Sequence, residues 1–329
     1  MRVFADILSG TIIFAVPLLL VALGGMFSER SGIVNIALEG IMIVGALCSC
    51  LFLRAVSTAP FALSNPQLAV FLAVLVAAGT GAAYSLLLAF ASVHLKADQT
   101  IGGTSLNMLA PAFAIVLTWA IQGAGQTTIN IPPWIRITQQ TLGFMPSAEQ
   151  GFFEYLTFKS FYLTTPIALL VLIFAAVVLY KTKFGLRLRA CGEHPQAADS
   201  VGVNVYAMRY AGVVISGVLG GIGGLAFTIA VGSGFVSDVA GYGFLALAVM
   251  IFGNWKPLRI AGAALLFALF KVIGPMAYFI PFLPSFSDIK SGEYIYLMLP
   301  YIVTMIVLAF TSKRSRAPKA EGIPYDKSA

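Results

Sequence analysis

The sequence predicts an all-α protein that crosses the membrane with about eight to ten helices, some of them broken or re-entrant. Of its 329 residues, 59% are hydrophobic and only 10% are charged, whereas soluble domains are roughly 45–50% apolar and about 25% charged. The mean hydropathy is +0.92. Apolar segments of about 20 residues, the length that crosses the hydrocarbon core, recur along the chain. Because one soluble core cannot bury so much apolar surface, we expect the surrounding solvent to be lipid.

The apolar segments are predicted to form one membrane domain, residues 1–312, followed by a cytoplasmic tail, residues 313–329. The candidate segments are 5–27, 33–54, 67–92, 101–122, 161–180, 208–231, 240–253, 257–280 and 294–311. Segment 240–253 is short, and segment 33–54 opens with Asn35, Glu39 and Gly40, which a lipid-facing helix would not carry. Since irregular backbone at membrane depth survives only where protein or a water-filled cavity covers it, both segments are predicted to be broken or re-entrant.

The basic residues predict which loops are cytoplasmic, because Lys and Arg accumulate on that side of membrane proteins. Half of the 20 Lys and Arg residues lie in the loop 181–209 and in the tail: Lys181, Lys183, Arg187, Arg189 and Arg209, then Lys313, Arg314, Arg316, Lys319 and Lys327. The loop 123–160 has two basic and two acidic residues, and we predict that it is external. The net charge of +7 follows from this distribution, so we expect membrane lipid, and no nucleic acid, as a partner.

Two segments rich in small residues predict close helix packing. They are AAGTGAA at 77–83 and VLGGIGGLA at 218–226, and small residues let transmembrane helices approach each other closely. The second has the composition of a nucleotide-binding glycine loop, but no strand precedes it and it lies inside an apolar run. We therefore interpret both segments as packing surfaces.

The segments 27–45 and 235–253 share a sequence pattern. Each runs from serine and acidic residues through glycine into an apolar helix. Transporters built from internal repeats often place broken helices at corresponding points of their two halves. The pattern is typical of such a relationship, and a chance similarity would account for it equally well.

The sequence lacks the residues of an enzyme. Its two histidines, His94 and His194, lie in predicted loops, whereas a Ser–His hydrolase in the membrane would need a histidine among the helices. It has no HExxH, paired-aspartate or Walker A motif, and Cys48, Cys50 and Cys191 form neither a disulfide framework nor a zinc pattern. We expect no catalytic residue, metal or cofactor in this chain. If ATP powers the protein, another chain must bind it.

Polar residues inside the apolar segments are candidates for a substrate pathway, because such groups are costly in a membrane and tend to line cavities or pair with each other. The predicted pathway residues are Asn35, Glu39, Gln99, Thr100, Asn107 and Asp238. Asn35 and Glu39 are four residues apart, so a helix would place them on one face. Neutral amides offer donors and acceptors to solutes that carry hydroxyls or bases. The alternative is that Glu39 caps a broken helix and that Lys271 snorkels or pairs with Asp238.

A short helix is predicted inside the basic loop, from Pro195 to Val201. Proline suits the first helical turn, and Gly202 suits the position after the end. Three charged residues, Arg189, Glu193 and Asp199, accompany this helix. One interpretation is a solvated connector that carries positive-inside charge. We favour the other, a protruding helix that receives force from a partner, because a mere connector rarely needs a capped helix.

Several stretches of the chain resemble a known family of transporters. The loop GLRLRACGEHPQAADSVGVNV resembles the coupling loop of permeases from the branched-chain amino acid, ribose and nucleoside group of ABC importers. The segment FSERSGIVNIALEGIMIVGA (27–46) and the tail APKAEGIPYD (317–326) resemble the nucleoside-type branch of that group. With the glycine-rich segment and GYGFLALAVMIFGNWKP (241–257), the resemblance covers most of the chain.

The resemblance implies a type II-like importer permease in the bacterial inner membrane. Such a complex contains two permease subunits, here with a paralogue as the second, and two cytoplasmic ATPase subunits that bind ATP and Mg²⁺. An external substrate-binding protein or lipoprotein delivers the solute. The residues that would contact the ATPase are Arg189, Gly192, Glu193, Pro195, Ala198, Asp199 and Gly202.

Several functions are compatible with the sequence. The first is a permease subunit for nucleosides. A permease for riboflavin or for a simple sugar would need little change in the sequence pattern, so these solutes are alternatives. The second is an ion-coupled secondary transporter that works alone, in which Glu39, Asp238 and Lys271 would carry protons. The capped helix in the basic loop favours the importer, because a lone carrier needs no docking helix for an ATPase. The tail is expected to be a mobile extension that contacts lipid headgroups or the ATPase.

Overall fold

A computed structural model describes residues 2–137, 161–276 and 317–327, together with several positions between 295 and 306. Four sequence predictions fall wholly or partly outside the described residues. They are the last four residues of segment 257–280, the last apolar segment, 294–311, the second half of the loop 123–160, and the first residues of the tail.

Seven of the described helices are long and apolar enough to cross a membrane, which confirms an all-α polytopic fold. They are α1 (Arg2–Arg30), α2 (Leu38–Ala55), α4 (Pro66–Val93), α5 (Gln99–Gln122), α6 (Thr164–Lys181), α9 (Val205–Val231) and α11 (Pro257–Met276). Four shorter helices lie between them: α3 (Pro60–Ser64), α7 (Lys183–Glu193), α8 (Pro195–Ser200) and α10 (Tyr242–Phe252). A 3₁₀ turn, Pro133–Ile135, follows α5.

Most of the described basic residues lie at one end of the bundle, hereafter called the basic end. It contains the last residue of α1, because Arg30 Nη1 lies 3.8 Å from Glu193 Oε1 at the end of α7. It also contains the end of α4 and the start of α9, because His94 Nδ1 lies 2.8 Å from the hydroxyl oxygen of Tyr210. At the other end, the loops that follow α5 and α9 exchange two backbone hydrogen bonds of 2.8 and 3.0 Å. Helix α1 therefore starts at that other end and finishes at the basic end.

Helix α9 lies at the centre of the bundle and packs against α1, α2 and α4. Glycines permit this close packing. A methyl group at Gly221 would overlap the backbone of Ala77, and one at Gly224 would overlap the backbone of Met42. The prediction that the segments 77–83 and 218–226 are packing surfaces is confirmed, and the arrangement follows from the absence of side chains at the contact.

Helix α10 crosses only part of the bundle, as predicted for segment 240–253. Its 11 residues cover about 16 Å, which is about half of the hydrocarbon core. Irregular backbone precedes it, with positive φ at Ser237, Ala240 and Gly241. Beyond its far end, the indole N–H of Trp255 donates to Glu29 Oε2 at 2.5 Å, close to the end of α1. Helix α10 therefore begins inside the bundle and runs to the basic end.

Helix α2 also begins inside the bundle. The chain turns back after α1 at Gly32, whose φ is +97°, and residues 31–37 are not helical. The first residue of α2, Leu38, packs against Gly25, since a methyl group there would lie 3.1 Å from Leu38 Cδ1. Gly25 is more than one turn before the end of α1. The predicted break in segment 33–54 is confirmed, and the chain re-enters the bundle before α2 starts.

Candidate functional site

The N-terminal ends of α2 and α10 meet inside the bundle at Glu39. The carboxylate accepts the backbone N–H of Gly241 at 2.8 Å through Oε1 and the backbone N–H of Gly243 at 2.6 Å through Oε2. Only 6% of Glu39 is exposed. The first N–H groups of a helix have no partner within it and carry partial positive charge. Of the two roles that the sequence leaves open for Glu39, the structure therefore shows capping of a broken helix, here α10.

Gly243 allows the two helix ends to touch. A methyl group at this position would overlap the backbone nitrogen and Cα of Glu39. The contact joins the two segments with the shared sequence pattern, 27–45 and 235–253. Each of them contains irregular backbone followed by a helix that starts inside the bundle, so the pattern corresponds to a structural similarity.

Two amides of α5 support the irregular backbone before α2. Gln99 Oε1 accepts the N–H of Val34 at 2.7 Å. Asn107 Oδ1 accepts the N–H of Gly40 at 2.8 Å, and its Nδ2 donates to the carbonyl of Ile36 at 2.8 Å. An unpaired backbone group at membrane depth costs several kcal/mol. These side chains therefore replace the hydrogen bonds that a continuous helix would have supplied.

Asn35 lies in the same irregular segment, residues 31–37, hereafter called the break before α2. It is fully buried. Its Nδ2 donates to the hydroxyl of Ser216 on α9 at 2.8 Å, and its Oδ1 has no partner among the residues that the structure describes. Thr100 and Asp238 are exposed, and no hydrogen bond joins either of them to the described residues of the break. The structure thus brings together four of the six predicted pathway residues, namely Asn35, Glu39, Gln99 and Asn107. Lining of a pathway stays a prediction for all six.

The exposed face of α5 is partly polar. It carries the hydroxyls of Thr100, Thr104 and Ser105, and those of Thr104 and Ser105 bond to carbonyls of their own helix. Met108 and Val116 continue this face, with 77% and 64% exposure. The exposed face of α6 is wholly apolar and consists of Leu169, Leu170, Ile173, Phe174 and Val177. The α6 face suits lipid, whereas a face with three hydroxyls suits an aqueous pathway or another protein.

Lys271 and Asp238 line one cavity of 440 Å³ together with Phe14 and Thr228. In the part of the chain that the structure describes, no ion pair joins Lys271 to Asp238. The ammonium group of Lys271 lies instead 5.6 Å from the ring centroid of Tyr242. A cation over an aromatic face is attracted by the ring quadrupole. The partner of Lys271 in the structure is therefore the ring of Tyr242, and not Asp238, which was one of the alternatives from the sequence.

The short helix predicted in the basic loop is observed as α8. It starts with Pro195, and Val201 follows its last residue. Gly202 then adopts φ +81°, as expected for the position after a helix end. Pro195 and Ala198 are buried against the bundle, whereas 77% of Val201 is exposed at the tip. The helix therefore presents a small apolar tip beyond the basic end.

Helix α7 was not predicted from the sequence. Thr182 caps it, since its hydroxyl accepts the N–H of Gly185 at 3.1 Å. A threonine before an amphipathic stretch is a start signal that could have identified this helix. Near its end, Gly192 packs on the carbonyl of Arg30, where a methyl group would overlap. The helix thereby places α8 directly beside the end of α1.

The charged residues predicted to meet the ATPase have partners within this chain. Glu193 pairs with Arg30, as described above, and the Asp199 carboxylate lies 3.9 Å from Lys327 Nζ. The guanidinium of Arg189 lies 5.2 Å from the ring centroid of Tyr180. Contact of these residues with an ATPase stays a prediction. The side chain of Val201 at the tip of α8, by contrast, is exposed and free to contact another protein.

The described tail, residues 317–327, packs against the basic end, which corrects the expectation of a mobile extension. Pro318, Ala320 and Tyr325 are buried. Tyr325, the one aromatic residue of the tail, is the local signal that could have indicated docking, because a buried ring supplies a large apolar area.

Comparisons with known proteins give one consistent result. A model of the family described as branched-chain amino acid transport system / permease component matches residues 7–308. The guanosine ABC transporter permease protein NupQ of Bacillus subtilis is 40% identical, over 99% of this chain and 98% of that protein. The nucleoside ABC transporter permease protein NupC of Lactococcus lactis is 42% identical, over 98% and 97%.

A more distant relative comes from the same Lactococcus lactis strain. The nucleoside ABC transporter permease protein NupB is 26% identical, over 93% of this chain and 83% of that protein. No solved structure matches the chain.

Proposed function

This chain belongs to the family of branched-chain amino acid transport system permease components, and we propose that it forms the translocation pathway for nucleosides in an ATP-driven importer. Two relatives named for guanosine and nucleoside transport align with almost its whole length. The structural observation that carries the proposal is α8, a proline-capped helix that projects from the basic end between two membrane-spanning helices.

The basic end faces the cytoplasm in this proposal, because Lys and Arg mark cytoplasmic loops. A separate ATPase subunit binds ATP and Mg²⁺ and docks on the exposed tip of α8 at Val201. Displacement of α8 acts on α7, whose Gly192 touches Arg30. Residues 31–37 continue from that point into the bundle, so the docking site and the break before α2 are adjacent along the chain.

The chemistry of the break favours an uncharged solute. The free N–H groups of a half helix often bind an anionic group of a substrate, but those of α10 are occupied by Glu39. The side-chain amides of Asn35, Gln99 and Asn107 at the break, together with the hydroxyls on the exposed face of α5, offer neutral donors and acceptors. Nucleosides have hydroxyls and bases and carry no charge. Riboflavin and simple sugars are likewise uncharged and carry hydroxyls, and they are the alternative solutes.

The proposed complex contains further subunits. The partly polar face of α5 suits contact with a second permease around the pathway, and the two Lactococcus lactis relatives, both named as nucleoside ABC transporter permeases, support a paralogue in that position. An external substrate-binding protein or lipoprotein supplies the solute. The apolar face of α6 contacts lipid of the bacterial inner membrane.

Purification of the tagged chain from native membranes in mild detergent tests the proposal. We expect an ATP-binding subunit to accompany it, together with a second permease. Reconstituted with an external binding protein, the complex should import radiolabelled guanosine when ATP is supplied on the basic side. Competition by excess uridine, riboflavin or ribose identifies the class of solute.

A different result would favour the secondary transporter. That result is a chain that purifies alone and imports solute in response to a proton or sodium gradient without ATP. If only riboflavin or a sugar inhibits import, the protein is still an ATP-driven importer, but its solute is of that class and not a nucleoside.

A further inference from the structure

The described tail bridges two parts of the basic end that otherwise touch only where the end of α7 meets Arg30 and Gly32. The backbone N–H of Ala320 donates to the carbonyl of Gly192 at the end of α7, at 2.9 Å. The backbone N–H of Gly322 donates to the carbonyl of Gly32 in the turn after α1, at 3.2 Å. The tail therefore connects the helix that carries α8 with the irregular segment that leads into α2.

Tyr325 anchors the tail beside α8. Only 4% of it is exposed, and it belongs to a cluster with Cys191 of α7, Ala198 of α8 and Val205 of α9. Its ring meets Tyr206 edge to face, with centroids 5.4 Å apart. One aromatic side chain thus fills the space where α7, α8 and α9 converge.

The hydroxyl and the neighbours of Tyr325 fix its orientation. Burial raises the pKa of Tyr325, and so do a hydrogen bond with Asp199 of α8 and the charge of that residue. The guanidinium of Arg209 lies 5.9 Å from the ring centroid. Asp199 thus contacts Tyr325 and, as described above, Lys327 of the tail, so α8 is attached to the tail through both residues.

The tail is also attached to the loop between α4 and α5, through an ion pair between Asp326 and Lys96. Both side chains are about two-fifths exposed, and exposed ion pairs contribute little stability. The buried ring of Tyr325 therefore contributes more than this ion pair to the docking of the tail.

We propose that residues 317–327 form a clamp that couples α8 to the break before α2, with Tyr325 as the positioning residue. Helix α8 has six residues and too little buried surface to hold its position alone. With the clamp in place, a displacement of α8 moves Gly192, Ala320 and Gly32 together, and the motion reaches Glu39. Without the clamp, only the direct contact of α7 with Arg30 and Gly32 joins α8 to the break, so a smaller part of the displacement reaches it. The inference rests on the proposed importer function.

The test compares Tyr325→Ala with Tyr325→Phe in the complete complex in proteoliposomes. The measured quantity is the amount of ATP hydrolysed per guanosine imported. Truncation of a buried ring should shift the docking equilibrium by roughly tenfold or more. For Tyr325→Ala we expect hydrolysis to continue, import to fall, and the ratio to rise several-fold. Tyr325→Phe keeps the ring in its cluster and should retain the wild-type ratio.

A second experiment restores the clamp by other means. Cysteines replace Lys96 and Asp326 in the Tyr325→Ala chain, and a short bifunctional thiol reagent joins them. Cross-linking should lower the ratio of ATP to guanosine towards the wild-type value. The same reagent on Tyr325→Ala without the added cysteines is the control.

The outcomes separate this inference from the function on which it rests. If import and hydrolysis fall in proportion in Tyr325→Ala, so that the ratio is unchanged, the ring has a structural role only and the clamp is refuted. Failure of the cross-link to lower a raised ratio refutes it too. If the wild-type chain shows no solute-dependent ATP hydrolysis with any partner, the importer itself is wrong and the clamp fails with it.

Discussion

The carboxylate of Glu39 and the backbone N–H of Gly243 are joined by a 2.6 Å hydrogen bond, although the residues are 204 positions apart. The bond connects the start of α2 with the start of α10, so each broken helix depends on the other. A carboxylate at a helix N-terminus is stabilised by the free N–H groups and by the helix dipole. Substitution at either residue should therefore affect both half helices at once.

Replacement of Glu39 by glutamine should lower stability. Glutamine has one acceptor oxygen, so the N–H of Gly241 or of Gly243 loses its partner, at a cost of about 1–3 kcal/mol. We expect a lower Tm for the purified chain in detergent, measured by the fluorescence of its tryptophans. The matched control is Asp238→Asn, which lies in the irregular segment before α10, is exposed, and keeps the acceptor for the N–H of Val239. Equal Tm values for the two variants would contradict a capping role for Glu39.

Replacement of Gly243 by alanine should separate the two helix ends. The added methyl group overlaps the backbone of Glu39, and such overpacking costs about 1–3 kcal/mol. The control is Gly262→Ala on α11, where a methyl group meets nothing within 4 Å. That change should stabilise the helix by about 0.5–1 kcal/mol. Thermal unfolding of both variants checks the difference, and a harmless Gly243→Ala would show that the close contact is not required.

Asn107 is expected to affect stability as well as transport. Leucine at this position leaves the carbonyl of Ile36 and the N–H of Gly40 unpaired, each at a cost of about 1–3 kcal/mol. Asn107→Leu should therefore lower both the Tm and guanosine uptake. Thr104→Val removes a hydroxyl of the exposed α5 face that bonds only within its own helix, so the Tm should not change. A raised KM for uptake in Thr104→Val would place the exposed face of α5 in the substrate pathway. Unchanged uptake would show that the Thr104 hydroxyl does not contact the solute.

The tip of α8 gives the most direct test of ATPase docking. Glu193 and Asp199 are less suitable, because their replacement by lysine would also break contacts within this chain. Val201→Asp places a charge on an apolar position that is 77% exposed, so the fold should be unaffected. We expect loss of the co-purifying ATP-binding subunit with normal permease abundance. The control is Leu95→Asp, an exposed position of the α4–α5 loop; equal loss of the ATPase in both would argue against a specific role for α8.

Docking of the tail should weaken as pH rises. Burial raises the pKa of Glu321, while a hydrogen bond with Glu29 and the charge of Arg30 act in the opposite direction. A carboxyl whose pKa is raised in the docked state holds its proton more tightly there, so docking loses stability as pH increases from about 4.3 towards the raised value.

Glu321→Gln should remove this dependence and strengthen docking at neutral pH. Proteolytic cleavage in the tail, compared between the variant and the wild type at each pH from about 4.3 upwards, measures the undocked fraction. The ratio of wild-type to variant cleavage should rise with pH. A constant ratio would show that Glu321 does not release a proton in this range.

The sequence by itself determined the membrane-spanning helices and the sites of the two breaks. The predicted segment 67–92 became α4 (Pro66–Val93), and 101–122 became α5 (Gln99–Gln122). Hydropathy is a property of neighbouring residues, so it locates such helices without knowledge of the rest of the chain. Polar residues at 35 and 39 and the shortness of segment 240–253 indicated the breaks, and Pro195 with Gly202 indicated α8.

Only the tertiary structure decided which groups satisfy those breaks. Asn107 pairs with backbone 67 and 71 residues away, and Glu39 caps a helix that begins some 200 residues later in the sequence. The position of the tail likewise depends on a pocket between α7, α8 and α9, which are consecutive in the sequence but distant from the tail. Hydrogen-bond partners of this kind are selected by how the helices pack against one another. The sequence shows that a polar group must find a partner in the membrane, and the packing of the helices determines which one it finds.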